Sequence, residues 1–185
     1  MLIFTVLINN AGIALFPDTT LSSIQEAYST VLATNVTSVA VITNAFLPLL
    51  HASTGRPKVI NITSGLASIT RAKQWKMLRA PAYASSKIGL NGLTVYMQLE
   101  EDERAEKEAA AIGGRAGKGG GNARVSFYCA NPGLLKTALT NFMPMAKDPK
   151  DGAEVVVRLA LEVGGPFEEA AIWEFEQGRM KQVPW

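Results

Sequence analysis

This 185-residue chain contains one cysteine and one histidine. A lone Cys129 rules out an intramolecular disulfide and suits a reducing compartment. Set in an apolar run, it reads as a buried thiol and not as a nucleophile. Charge is also sparse: 18% of residues are charged and the formal net charge is +2. Lys and Arg are scattered, so no basic stripe marks a nucleic-acid surface. Met1 to Ile8 is apolar but short, has no basic start, and runs straight into Asn9-Asn10-Ala11-Gly12. It therefore reads as neither signal peptide nor membrane span, and a cytoplasmic protein with no membrane partner is expected. The sequons at Asn35 and Asn61 fall inside predicted regular structure and read as accidental, and no metal site is read. What the chain does have is 48% hydrophobic residues, enough for one domain over residues 1–185 with a sizeable core.

Leu2 to Ile8 is a continuous β-rich apolar run, the pattern of a strand buried on both faces of a parallel sheet. After a Pro-containing connection, Ser22 or Ser23 can cap a helix that continues, with a possible break, through Ile24, Tyr28, Val31 and Leu32 to Leu50. Lys58 to Ile62 is a second buried strand. Residues 66–81 read as an irregular basic connection, and Ala82 to Leu99 as a helix dissolving into the charged run Glu100–Glu108. Residues 109–122 read as a flexible loop. Its glycines resemble a phosphate loop only superficially, since Ile112 stands at the required first glycine and Gly119 replaces the Ser or Thr after Lys118. Arg124 to Cys129 is a third strand, a helix runs from about 148–151 to Val163, and Ala171 to Phe175 is a fourth strand. Strands alternating with helices imply right-handed crossovers and a parallel sheet.

Three of these strands end in small, polar or glycine-containing motifs: Asn9–Gly12, Thr63–Gly65 and Asn131–Gly133. In an open α/β sheet, ligands bind outside the carboxyl ends of the strands, so three candidate loops share one edge. Tyr83 and Lys87 lie four residues apart and stack on one helix face. An ammonium held beside a phenol favours the phenolate, and a tuned tyrosine can give a proton to a carbonyl oxygen or take one from an alcohol. The bland readings are that Ser64 caps a strand end with Thr63 as its competitor, Asn35 is a satisfied polar residue at a kink, and Thr137 caps a helix. His51 reads as a partner of a helix C-terminal dipole, and Trp173 as packing, with Trp75 and Trp185 as pocket candidates.

Taken in order, NNAG at 9–12, TNVTS at 34–38, INITSG at 60–65, YASSK at 83–87 and NPGLLKT at 131–137 resemble the short-chain dehydrogenase/reductase family. The long connection from Ser64 to Tyr83, the DGAE helix start at 151–154 and the terminal tryptophan look like its carbonyl-reductase-like branch. The resemblance implies a Rossmann-like α/β sheet and hydride transfer between a nicotinamide and a ketone or aldehyde. It implies Tyr83 as general acid, Lys87 lowering its pKa and binding the nicotinamide ribose, Ser64 polarising the substrate oxygen, and Asn35 holding a relay water. Asn9, Ala11 and Gly12 would line the cofactor cleft, and Pro132, Gly133 and Thr137 would meet its nicotinamide and diphosphate end. NADP is expected over NAD. Apolar side chains at Leu139, Phe142, Met143 and Met145 favour a small apolar carbonyl substrate.

The chain departs from the family in one respect. The family's opening strand, G-x-x-x-G-x-G turn and helix find no counterpart here, and residue 1 falls at what would be the family's fourth strand. The expectation is a truncated, C-terminal part of the sheet with about four strands. Its strand 2–8 would be an edge with unpaired backbone groups, prone to self-association, and its cofactor binding weak. The alternative function is an inactive remnant acting through protein association.

Overall fold

In the computed structural model, residues 5–111, 123–161 and 167–185 are described. Val6–Asn9 forms β1, Lys58–Ile62 forms β2, Ser126–Asn131 forms β3 and Ile172–Glu176 forms β4. These four pair in that order, all parallel, with Ile8 opposite Ile60 and Ile60 opposite Tyr128. A fifth strand, β5 (Arg179–Val183), adds antiparallel to β4. It corrects the expectation of four strands. RMKQV is too polar to read as a buried strand, but an edge strand on a tight hairpin needs only one side and one face covered. Gln177 and Gly178, both at positive φ (54° and 77°), supply the turn.

The strict alternation of a strand divides the core. Leu7, Val59 and Phe127 face one way, onto Leu50 and Met97. Ile60, Tyr128 and Trp173 face the other, onto Val155 and Leu159 of α5 (Pro149–Leu161). Each such buried side chain contributes about 1.5–3 kcal/mol. At β1 the second face is thinner: Ile8 is 44% exposed. Among the described residues β1 pairs on one side only, with β2.

The long first helix is α1 (Leu21–Leu32), a π-helical turn (Ala33–Thr37) and α2 (Ser38–His51), so the expected break is a bulge of one extra residue, not an interruption. Its N-cap is Thr20, whose side chain accepts from the Ser23 N–H; Ser22 and Ser23 lie inside the first turn. By length and composition alone this stretch, Leu21–His51, is apolar enough to cross a bilayer, but here it packs Val31, Val39 and Leu50 into the core.

Two further stretches read as irregular are helical. Ser68 caps α3 (Ile69–Trp75) by accepting the Arg71 N–H, and the Tyr83 helix, α4, runs from Pro81 to Ala111, through the charged run. Composition misleads there because the charges satisfy each other along the helix. Arg104 reaches Glu101 and Glu108, and Lys107 reaches Glu103. Residues 109–111 are therefore the end of a helix; the remainder of the loop expected at 109–122, with its glycines at 113–121, lies outside the described residues. His51 does sit at a helix end, but its partner is a side chain, the Glu101 carboxylate at 3.0 Å.

Candidate active site

Because β1, β2 and β3 are parallel, the loops after them open on one edge, and α4 crosses beside that edge. Ser64 follows β2 with extended backbone (φ −153°, ψ 152°) and starts a short 3-10 turn, Gly65–Ala67. Its Oγ accepts the Leu66 N–H at 3.2 Å, and its side chain lies near enough to the Tyr83 phenol to oppose the rise in that group's pKa. Its competitor Thr63 turns inward and donates to Asn91 Oδ1 at 2.6 Å. The structure thus leaves Ser64 as the hydroxyl at the phenol.

Lys87 is 3% exposed, one helical turn below Tyr83. Its Nζ donates to the Ile62 carbonyl at 2.7 Å and stands 5.8 Å from the Tyr83 ring centroid. Burial pulls the ammonium down to about 8. The phenol is pushed up from its ordinary value, again by burial, with the Ser64 side chain opposing. The expectation of a phenol lowered by its lysine is therefore corrected: the ammonium is committed to a backbone carbonyl, and desolvation decides the phenol's pKa.

Gly12 lies over Lys87 and Asn35. A methyl at its Cα would sit 3.3 Å from Lys87 Nζ and 3.4 Å from Asn35 Oδ1, tighter than ordinary contact, so glycine lets the loop lie directly on the lysine. Ala11 beside it is exposed. Asn35, fully buried in the π-helical turn, holds that loop: Oδ1 accepts the Ile13 N–H at 2.9 Å, and Nδ2 donates to the Ile13 carbonyl at 2.8 Å and to Ser86 Oγ at 2.9 Å. Ser86 Oγ in turn donates to the Tyr83 carbonyl at 2.7 Å. The asparagine read as holding a relay water anchors the loop to α4.

Asn9 points into the protein. Its Nδ2 donates to Thr43 Oγ1 at 3.0 Å and to Asn61 Oδ1 at 2.8 Å, and Asn61 continues to Thr94 on α4 at 2.9 Å. Gly133, at φ 82°, and half-buried Pro132 form the turn after β3, where Asn131 Oδ1 accepts the Gly133 N–H at 3.1 Å. Thr137 precedes a 3-10 turn, Ala138–Thr140, and its N–H donates to Thr140 Oγ1. Leu139, Phe142 and Met145 are exposed, while Met143 is half-buried. Trp173 packs edge-on against Phe167, as expected. Trp75 is 62% exposed beneath the Arg71 guanidinium. Trp185 joins Ile69, Ile88, Val95 and Tyr96 around an apolar cavity of about 250 Å³ whose lining includes neither Tyr83 nor Ser64. Cys129 is buried and its thiol is raised to about 12 by desolvation, so it is inert.

The sequence reading missed the carboxylate beneath the NPG turn. Glu174 of β4 meets both Arg71 of α3 and Asn131. Its only sequence signal was a charged residue inside an apolar strand.

A family model described as short chain dehydrogenase matches residues 3–108. A short-chain dehydrogenase/reductase of Aspergillus fumigatus is 46% identical over 184 residues, covering 97% of this chain and 66% of the relative. A short-chain dehydrogenase of Penicillium roqueforti is 33% identical over 170 residues, covering 88% of this chain and 59% of the relative. The chain belongs to the short-chain dehydrogenase family. It spans 66% and 59% of the length of these two curated relatives. Among solved structures, NADPH-bound carbonyl reductase from chicken fatty liver superposes with a TM-score of 0.66 at 24% identity, covering 98% of this chain and 66% of the other. Carbonyl reductase Sniffer of D. melanogaster gives 0.69 at 20% identity, covering 97% and 66%. These two share the α/β fold.

Proposed function

We propose that this chain carries the catalytic part of an NAD(P)-dependent oxidoreductase of the carbonyl-reductase type, reducing a small apolar ketone or aldehyde to an alcohol. The observation that carries the reading is that Ser64, at the tip of β2, lies beside the Tyr83 phenol, with the Lys87 amine one helical turn below.

The site fits a nicotinamide dinucleotide in part. Gly12 lets the loop after β1 pack closely against Lys87, and the Pro132–Gly133 turn and Thr137 follow a parallel strand that ends on the same edge. These residues, with Ala11 and Lys87, would hold the nicotinamide end; Asn9 supports them from within. The bound dinucleotide would supply the hydride. NADPH is the preferred form on the likeness to the chicken carbonyl reductase, whose structure holds it.

The protein's share follows from its own groups. Tyr83, a phenol protonated at neutral pH whose pKa burial raises further, donates its proton to the substrate oxygen. Ser64 holds that oxygen with a hydroxyl donor where negative charge develops. Lys87, charged below pH about 8, offsets the tyrosinate left behind, and Asn35 fixes the loop that closes the cleft. Tyr83→Phe is expected to lower carbonyl-dependent NADPH oxidation by about 10²–10⁴-fold; an unchanged rate refutes the assignment.

A second reading has its own observation, the one-sided pairing of β1 with Ile8 exposed beside it. On that reading the chain is an inactive family member that works by association, and self-pairing through β1 is its mode. Sedimentation over a concentration series separates the two: a monomer that turns over NADPH refutes association, and an inactive oligomer refutes the enzyme.

A further inference from the structure

Glu174 is 7% exposed on β4, a strand that supplies none of Ser64, Tyr83 and Lys87. We propose that Glu174 is a positioning residue for this site: it sets the orientation of the Asn131 amide, thereby fixes the Asn131–Gly133 turn, and couples that turn to α3. The link to function rests on the reading that this turn meets the dinucleotide; the positioning itself does not.

The argument is one of donors and acceptors. An ionised carboxylate only accepts. Glu174 Oε2 accepts Asn131 Nδ2 at 3.0 Å, so the NH₂ end of that amide must face it. The oxygen end is then turned to the Gly133 N–H, a group that only donates, at 3.1 Å. A flipped amide would set oxygen against carboxylate and NH₂ against N–H, two repulsive contacts at once. One carboxylate therefore selects one side-chain orientation, and that orientation closes the turn.

The same carboxylate is clamped from the other side. Arg71 Nη1 and Nη2 donate to its two oxygens at 2.8 and 2.7 Å, a bidentate pair that fixes the carboxylate plane. Arg71 lies in the first turn of α3, whose N-cap Ser68 also donates to the Pro184 carbonyl at 2.6 Å. On the near side, a methyl on Gly65 would lie 3.5 Å from Asn131 Nδ2, so the residue following Ser64 packs on the same amide. Glu174 is thus the common support of the turn after β3, the turn after β2, and the helix between Ser64 and Tyr83.

The test uses the full chain and needs no turnover. Amide hydrogen exchange is measured by ¹⁵N NMR for Glu174→Gln and, as a milder variant that leaves the carboxylate in place, Arg71→Met. The expected result is faster exchange at Gly133 by about tenfold or more in Glu174→Gln, with a smaller change in Arg71→Met. Amides of α5 and β1 should keep their wild-type exchange, which a merely destabilised fold would not allow. Gly133 unchanged in both variants, or all amides accelerated together in both, overturns the proposal. NADPH titration of the same samples then addresses the function: weakened binding in Glu174→Gln supports both readings. Faster exchange at Gly133 with NADPH affinity unaltered supports the positioning role and removes the turn from the cofactor site.

Discussion

Lys87 directs its ammonium at the Ile62 carbonyl, 2.7 Å away, while the ring of Tyr83 stands 5.8 Å off. The lysine is fixed by the end of β2, not by the phenol, so its titration and the tyrosine's are set separately, each chiefly by burial.

A pH experiment follows. Lys87 titrates near 8 in the folded chain against 10.5 unperturbed. Between those values the unfolded chain holds a proton that the folded chain has lost, so folding stability contributed at this site rises with pH across about 8 to 10.5. Carbonyl reduction should move the other way, falling as pH passes about 8 and the ammonium is lost. Urea unfolding of the wild type against Lys87→Met from pH 7 to 10, beside rates over the same range, checks both directions. A stability difference that does not change with pH would contradict the first.

Asn9 is expected to matter more for folding than for cofactor contact. Asn9→Leu leaves Asn61 Oδ1 and Thr43 Oγ1 without their donor in the interior, at a cost of about 1–3 kcal/mol for such groups. Chemical unfolding followed by circular dichroism measures it. Full stability with weakened NADPH binding would return Asn9 to the cofactor cleft.

Lys58 is a buried cation inside the sheet, and its Nζ donates to the Leu159 and Ala160 carbonyls at 2.8 and 3.2 Å, at the last turn of α5. It caps the helix and meets the negative end of its dipole. Lys58→Met keeps the stem but uncaps α5, and about 1–3 kcal/mol of stability should be lost. Unchanged urea unfolding would show that water replaces the ammonium without cost.

Glu101, 4% exposed, receives His51, Arg104 and the Val125 N–H, joining α2, α4 and the start of β3. Burial raises its carboxyl, but these partners together outweigh burial and hold it below the ordinary carboxylate value of 4.5. A depressed carboxyl contributes stability above its unfolded pKa and loses it as pH falls through the folded one. The stability gap between wild type and Glu101→Gln should therefore be full at pH 7 and shrink below pH about 4.5. A gap that stays constant to pH 3 would show that the carboxylate's charge plays no part.

The sequence made the parallel sheet legible because β2 and β3 are buried on both faces and carry apolar stretches, Val59-Ile60 and Phe127 to Ala130, at their centres. The site was legible where its chemistry repeats a spacing, as at Tyr83 and Lys87, or ends a strand, as at Ser64. It was opaque where tertiary partners decide. Residue type and position alone did not separate Thr63 from Ser64, and only the family resemblance favoured Ser64; the structure turns Thr63 inward to Asn91. The charged run 100–108 looked like a helix dissolving because pattern alone does not show His51 and Val125 converging on Glu101. Glu174 was invisible for the same reason: its significance lies in Arg71 and Asn131, 103 and 43 residues away.

The π-helical turn at Ala33–Thr37 carries one residue more than a regular helix would place there. The wider turn absorbs that residue, so Ala27 and Val31 before it and Thr43 and Leu50 after it all face the interior. Winding the same residues into a regular helix would swing one half by about 100° relative to the other and bring one of these pairs out of the core. Deleting the surplus residue would instead leave both halves facing inward, and what it would forfeit is the widened turn from which Asn35 reaches the loop above Lys87.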